Sequence, residues 1–414
     1  MNHKEKYSMT EYFDIAIDNG ALLLDASNLD WLTFPLYSCI RDEIHRQVDL
    51  RTIDFDWGYN SPGGKDELKE LIAKHESHIE KTTIDKDEIV LTGNGTTGAL
   101  NYVLQCILKL NHFNTGIKVM YGVPSYDGFD RALDFYEFKP VQILLQKDKD
   151  YRMTLDNVKK AYSKDCKVII ISNPSNPSVT FINKDEIEKI LKFAIEKDMY
   201  IIYDAIFEES PSYTNSEYPV YPIVKDYPKF IKVKGLSKDA PHLSDFRCGW
   251  TICKNKKLNE LLLKVASSVN FSNSTFLENI EIAEMRNRVE IDENISSDYR
   301  YVYEEDKKLY NHMIKDTLNA AYDYLMSQND VVENVIYPDC GNILYITLNK
   351  QACNKKGVYT SHELFMYIME KENISITPGH CFGAPLEDLA FRVTISRGYD
   401  AFMNGIERIV KLFK

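Results

Sequence analysis

From about residue 60 to 290, short apolar runs alternate with segments whose apolar positions recur at helical spacing. Ile89-Val90-Leu91-Thr92 predicts a strand, Gly93 to Gly98 a turn, and Ala99 to Leu108 a helix. Lys167-Val168-Ile169-Ile170-Ile171 predicts a second strand. Asn183-Lys184-Asp185-Glu186 has the form of a capping box, and Ile187, Ile190, Leu191, Ala194 and Ile195 share a helical face, so this helix returns the chain to a strand at Tyr200-Ile201-Ile202-Tyr203. Phe230 to Val233 and Arg247 to Cys253 read as two more strands. Such alternation predicts βαβ units and an α/β fold with a mainly parallel sheet. Near 296 to 330 the pattern becomes a long charged helix, and the remainder reads as a smaller α/β unit with strands near Ile343 to Ile346 and Phe391 to Ile395. Neither an internal repeat nor a low-complexity linker interrupts it.

The length, 414 residues and 48.0 kDa, exceeds what one hydrophobic core usually serves, so two domains are expected. No apolar stretch approaches the roughly 18 to 20 residues that cross a bilayer, which argues against a membrane protein. A net charge of -12 without a basic block argues against a nucleic-acid groove, because tracking phosphates takes clustered Lys and Arg. Met1-Asn2-His3-Lys4-Glu5-Lys6-Tyr7 lacks the apolar core of a secretory signal, and the eight cysteines form no Cys-x-x-Cys pair. Both point to a cytoplasmic protein with free, buried thiols. His75 and His78 lie three apart beside Lys74, Glu76 and Glu80, the composition of a solvated helix face, and no metal site is expected there.

Candidate chemistry gathers where strands end, the edge at which open α/β sheets bind ligands. Lys238 follows one predicted strand and Arg247 opens the next, so the lysine sits on a loop between buried strands, where a desolvated amine becomes a usable nucleophile. Gly95-Thr96-Thr97 opens a helix, which suits either a phosphate or a simple cap. Asn173-Pro174-Ser175-Asn176-Pro177 puts two Asn-Pro steps in one rigid turn. Asp204 closes an apolar strand, where a carboxylate is costly without a cationic partner, although a helix cap is the plainer reading.

In this order the elements resemble the fold type I pyridoxal-phosphate enzymes, specifically the class I/II aminotransferase family. The resemblance covers most of the chain. Tyr59 to Leu68 resembles the family's Tyr-(four residues)-Gly-(three residues)-Leu segment, Pro124-Ser125-Tyr126 its Pro-x-aromatic, Asn173 to Pro177 its Asn-Pro-x-Asn-Pro turn, Ser237-Lys238 its Schiff-base lysine, and Phe391-Arg392-Val393-Thr394 its C-terminal arginine strand. It implies a large domain with a mainly parallel seven-stranded sheet over 51–300 and a small C-terminal α/β domain over 301–414. An N-terminal segment over 1–50 is expected to pack with the small domain and the substrate entrance.

The resemblance also implies roles. Lys238 would form the Schiff base with pyridoxal 5'-phosphate and shuttle the proton, and Asp204 would pair with the pyridine nitrogen. Asn176 would bond the ring's phenolic oxygen, and Tyr126 would stack on the ring. Gly95, Thr96, Thr97, Ser237 and Arg247 would hold the phosphate, and Tyr59 would reach the cofactor of a neighbouring subunit, implying a homodimer with shared sites. Arg392 would grip a substrate α-carboxylate, with Asn176 beside it. The expected partners are an amino acid and a 2-oxo acid.

Three departures bear on the reaction. Phe207 stands where the family usually has a tyrosine donor. The loop from Lys238 to Arg247 is one residue longer than usual and contains His242, and Gly235 replaces a frequent phosphate-binding serine. Asp25 and Asp30 sit in the segment that lines the family's substrate entrance, where they suit a cationic substrate group or serve as helix caps; Asp30 is counted as substrate-binding. The main expectation is a ping-pong aminotransferase on an L-amino acid. The alternative is a lyase, or an oxidase or cyclase on a basic, arginine-like amino acid, since fold does not settle reaction.

Overall fold

The structure is a computed structural model that describes residues 7–25, 33–49, 58–112, 114–214, 218–224, 227–239 and 241–414. Seven strands form the larger sheet: β2 (Ile89–Thr92), β3 (Lys118–Val123), β4 (Lys139–Leu144), β5 (Cys166–Ser172), β6 (Tyr200–Asp204), β7 (Phe230–Gly235) and β8 (Gly249–Ile252), preceded in the chain by a short β1 (Leu22–Leu23). Their order is β2-β8-β7-β6-β5-β3-β4, parallel except where β8 runs against both β2 and β7. Helices cover both faces, and the central strands are apolar on both. In β5, Val168 and Ile170 enter the core under helix Gly95–Leu110, while Ile169 and Ile171 enter the core of the opposite face.

β7 departs from that rule. Ile231 and Val233 fill the core beneath helix Gly95–Leu110, but Lys232 and Lys234 point to the other face with none of their surface exposed. The predicted strands otherwise match to within a residue or two, and the helix predicted over 187–195 is Lys184–Glu196. Its capping box does not form. Asn183 makes no side-chain cap, because Glu186 instead accepts from the Leu155 N–H (2.8 Å) and pairs with Lys189 (2.8 Å).

The long charged helix is Asp298–Met326, capped by Ser297, whose hydroxyl accepts from Arg300 N–H (3.0 Å). After it comes a four-stranded antiparallel sheet of β9 (Val332–Ile336), β10 (Ile343–Leu348), β12 (Thr377–Pro378) and β13 (Ala390–Thr394), in the order β12-β13-β10-β9. The start of the chain packs here. β1 pairs in parallel with β11 (Ile374–Ser375), and the backbone of Leu24 donates to Ser375 (3.1 Å) and accepts from Thr394 (2.7 Å). Tyr12, on helix Met9–Asp18, reaches His362 (2.8 Å) and His380 (3.0 Å). None of the described helices is long and apolar enough to cross a membrane.

Candidate active site

The carboxyl ends of β5, β6 and β7, the helix after β2 and the middle of β13 converge on one cavity of about 270 Å³, lined by Lys238, Asp204, Asn176, Tyr126, Arg247 and Arg392, and also by Thr96, Thr97 and Ser237. Nine of the residues singled out in the sequence therefore face one another. The loop carrying Lys238 is held by the Ser210 hydroxyl, which donates to the Lys238 carbonyl (3.0 Å), and by Ser244, which donates to Ser237 (2.9 Å). Desolvation in the cavity wall, with Arg392 and then Arg247 nearby, pushes the Lys238 pKa down to about 8, against a raising pull from Asp25. A fair share of the amine is then neutral near physiological pH, as a nucleophile or proton carrier requires.

Asp204, the last residue of β6, is buried, and desolvation pushes its pKa up to about 6. Its Oδ1 accepts from the Ile206 N–H (3.2 Å) and its Oδ2 from the Ser172 hydroxyl (3.2 Å), which hold it lower than burial alone would. No cation pairs with it among the described residues. Asp204 is not a helix cap.

An anion cradle faces it. Helix Gly95–Leu110 begins without a side-chain cap, and of its first N–H groups that of Gly95 already donates to the Arg247 carbonyl (2.6 Å), which leaves those of Thr96 and Thr97 without a partner inside the helix. Thr96 Oγ1 is buried without a hydrogen-bond partner. Arg247 closes the cradle, donating to the carbonyls of Asn94 (3.0 Å) and Ser244 (3.3 Å). Gly95 has φ +65°, and a Cβ there would stand 2.9 Å from Arg247 Nη2. Gly235 has the same kind of reason: a Cβ would stand 2.4 Å from the Cys248 carbonyl oxygen and 2.8 Å from Thr96 Oγ1. The β7 backbone is too close to its neighbours for the family's serine.

The two asparagines of the Asn-Pro turn divide the work. Asn173 is structural: its amide donates to Tyr203 (2.7 Å) and Tyr218 (2.9 Å), and its oxygen accepts from Ile182 N–H (2.7 Å). Asn176 faces the cavity and accepts from Arg392 Nη1 (3.0 Å). Arg392 lies over the Phe382 ring (4.8 Å) and donates through Nε and Nη2 to both oxygens of Asp25 (2.9 and 3.2 Å). Asp25 thus caps none of the described helices, and its pairing with Arg392 was not foreseen. The partner lies 367 residues away and no local pattern records it.

The remaining candidates scatter. Phe207 lines the cavity and packs in a small cluster with Val179, Phe181, Cys340 and Ile343, so the phenolic donor is replaced by an apolar wall. Tyr59 is outside the cavity, 87% exposed, edge-on to the half-exposed Phe271. Asp30 lies outside the described residues, as does the side chain of His242. All eight cysteines are free, and seven are buried.

Behind Lys238 lies a buried ion cluster that sequence reading missed. Lys232 Nζ touches Glu76 (3.0 Å), Glu80 (2.6 Å) and Glu208 (2.7 Å), and Lys234 touches Glu209 (2.5 Å), Glu208 (3.0 Å) and Glu76 (3.2 Å). Burial alone would strip the proton from Lys232, but Glu208, Glu76 and Glu80 outweigh it and its pKa is raised. His75 is not on a solvated face. It is buried between Asp292 (2.6 Å) and Glu209 (2.7 Å), whose pull outweighs its desolvation. The Glu76–Glu80–Glu208 carboxylates stand close enough to hold a metal ion, but the Lys232 ammonium lies among them.

The chain is similar to known proteins over most of its length. Residues 39–406 match the family model for "Aminotransferase class I and II". The chain is 23% identical over 362 residues to an aspartate aminotransferase of Streptomyces avermitilis, covering 86% of this chain and 81% of that protein. It is 22% identical over 384 residues to an aspartate aminotransferase of Sulfurisphaera tokodaii, covering 91% and 86%. Among solved structures, a double mutant of Thermus thermophilus aspartate aminotransferase superposes with a TM-score of 0.82 at 16% identity, over 98% of this chain and 97% of that one.

Proposed function

The chain belongs to the class I and II aminotransferase family, and from that membership we propose that it carries the α-amino group of an L-amino acid to a 2-oxo acid on pyridoxal 5'-phosphate, with Lys238 as the residue that acts on the reacting carbon. The fold is fold type I. The observation that carries the proposal is the meeting of Lys238, Asp204, Asn176 and Arg392 in one cavity.

The site fits the cofactor on two independent grounds. The buried Asp204 carboxylate lacks a cation, which a protonated pyridine nitrogen supplies. The orphaned Thr96 hydroxyl, the uncapped start of helix Gly95–Leu110, Ser237 and Arg247 suit a phosphate. When bound, this group serves as an electron sink for charge developing at the substrate Cα. Asn176 and Tyr126, both in the cavity wall, would hold it, Asn176 through its amide to the ring's phenolic oxygen and Tyr126 against the ring. Lys238 moves the proton at Cα, and a pKa near 8 lets it both accept and return it. Arg392 orients the substrate through its carboxylate. Phe207, an apolar part of the cavity wall, would withhold the hydrogen bond that a tyrosine there would give. Aspartate, the amino acid for which these relatives are named, is a natural first donor to try.

Tyr59, exposed beside Phe271, suits a second copy of the chain, so we read the enzyme as a homodimer with shared sites. We read residues 51–300 as the large domain, 301–414 as the small one and the first 50 as a segment on the substrate entrance. Eight free thiols support cytoplasmic residence.

Amino acids given singly without an oxo acid should release one oxo acid per active site and then stop. Continued turnover with ammonia, pyruvate or oxygen uptake would replace the transferase reading by the lyase or oxidase one. Borohydride followed by peptide mass mapping should find the cofactor fixed at Lys238.

Asp204 gives a pH test. Its folded pKa, about 6, lies above the ordinary 3.8, so the folded protein binds its proton more tightly than the unfolded chain. Stability of cofactor-free protein should therefore fall as pH rises through that window, relative to Asp204→Asn. Bound cofactor should abolish the difference, because the carboxylate then has its cation. Parallel melting curves with and without cofactor check both.

A further inference from the structure

Arg392 already holds a carboxylate. Asp25 takes Nε and Nη2 in the two-point, side-on geometry by which a guanidinium binds a free carboxylate, and its own side chain is 1% exposed. Asn176 takes Nη1, and the Phe382 face backs the group. An incoming α-carboxylate directed at Arg392 therefore meets a guanidinium that is charge-neutralised and occupied at its best fork.

We propose that Asp25 is a built-in surrogate of the substrate carboxylate: it occupies Arg392 in the free enzyme, and substrate binds by exchanging with it. This rests on the reading of Arg392 as the carboxylate-binding residue. The exchange demands little of the backbone. Leu24 is pinned on both sides, to Ser375 and to Thr394, so the exchange is assigned to the Asp25 side chain and not to a shift of this backbone. In its Arg392-bound position the Asp25 carboxylate is already within Coulombic reach of Lys238.

The consequence is selective. Every carboxylate ligand has to replace an ion pair with another of the same kind, so the carboxylate contributes little net affinity, and discrimination falls to the remainder of the ligand. Simple acids that offer nothing else bind weakly, while an amino acid that also engages the cofactor binds more tightly. Arg392 meanwhile never stands as an uncompensated charge in a partly buried site.

The test is calorimetric titration of the cofactor-loaded enzyme with propionate, which carries the carboxylate and cannot react. Asp25→Asn should bind propionate about tenfold more tightly than the parent, the scale of one charge-assisted contact. Arg392→Leu should bind none. Equal or weaker binding by Asp25→Asn, with Arg392→Leu inactive in binding, would show that Asp25 supports the arginine instead of competing, and would overturn the exchange. Undiminished binding by Arg392→Leu would overturn the assignment of Arg392 itself and the exchange with it. Should Asp25→Asn fold poorly, a crystal structure of the parent with propionate decides: ligand oxygens on Nε and Nη2 with Asp25 turned away support the exchange, and an intact Asp25–Arg392 pair beside bound propionate rejects it.

Discussion

Lys238→Ala should lose at least about 1,000-fold in turnover, since it removes both a nucleophile and a proton carrier. The fold should not suffer. The lysine's pKa is depressed, from 10.5 to about 8, so the folded state binds its proton less tightly than the unfolded chain. Below about pH 8 the charged amine opposes folding, and that cost is relieved as pH rises toward 10.5. Cofactor-free Lys238→Ala should therefore melt no lower than the parent at pH 7. Steady-state rates and melting curves on one preparation measure both, and turnover within tenfold of the parent would remove Lys238 from the chemistry.

Lys232→Ala should have the largest effect on stability. It removes the ammonium shared by Glu76, Glu80 and Glu208, and breaking a buried pair from one side costs about 3–5 kcal/mol because the remaining charges stay buried. Glu80 cannot readily turn to solvent, as its other oxygen accepts from the N–H groups of Val220 (2.7 Å) and Tyr221 (3.0 Å). Urea unfolding gives the number, and a loss under about 1 kcal/mol would mean that the carboxylates simply take up protons. The cluster also reaches the active-site loop. Asp239, next to Lys238, is buried and accepts from the Glu209 N–H (3.3 Å), and its pKa is pushed up to about 7 by burial and by Glu209.

The large sheet was legible because alternation, turns and helical spacing are local signals, and β2, β5, β6 and β7 could each be read from a few residues. The site was legible for a related reason. Asp204, Lys238 and Asn176 sit at strand ends whose order the sheet fixes, so finding the strands nearly finds the site. What stayed hidden depends on contacts between distant segments. Lys232 and Lys234 carry no local signal, because their carboxylate partners come from a helix more than 150 positions earlier and from the turn after β6. His75 looked solvated because Asp292 and Glu209 arrive from elsewhere in the chain. Asp25 looked like a cap because nothing near it in sequence is cationic. The failed cap at Asn183 has the same origin, a distant claim on Glu186.

The pairing of β1 with β11 also fixes a chronology. Once synthesised, β1 finds its partner only after about 350 further residues have been made. Domains fold largely as units in the order of synthesis, so the seven-stranded sheet can be complete while Leu22 and Leu23 still wait. Asp25 reaches Arg392 later still, because β13 emerges after β11. The nascent chain thus assembles the sheet edge that carries Lys238 and Asp204 first and adds β13 last, and a chain stalled before residue 390 would hold Lys238, Asp204 and Arg247 in a cavity that lacks Arg392.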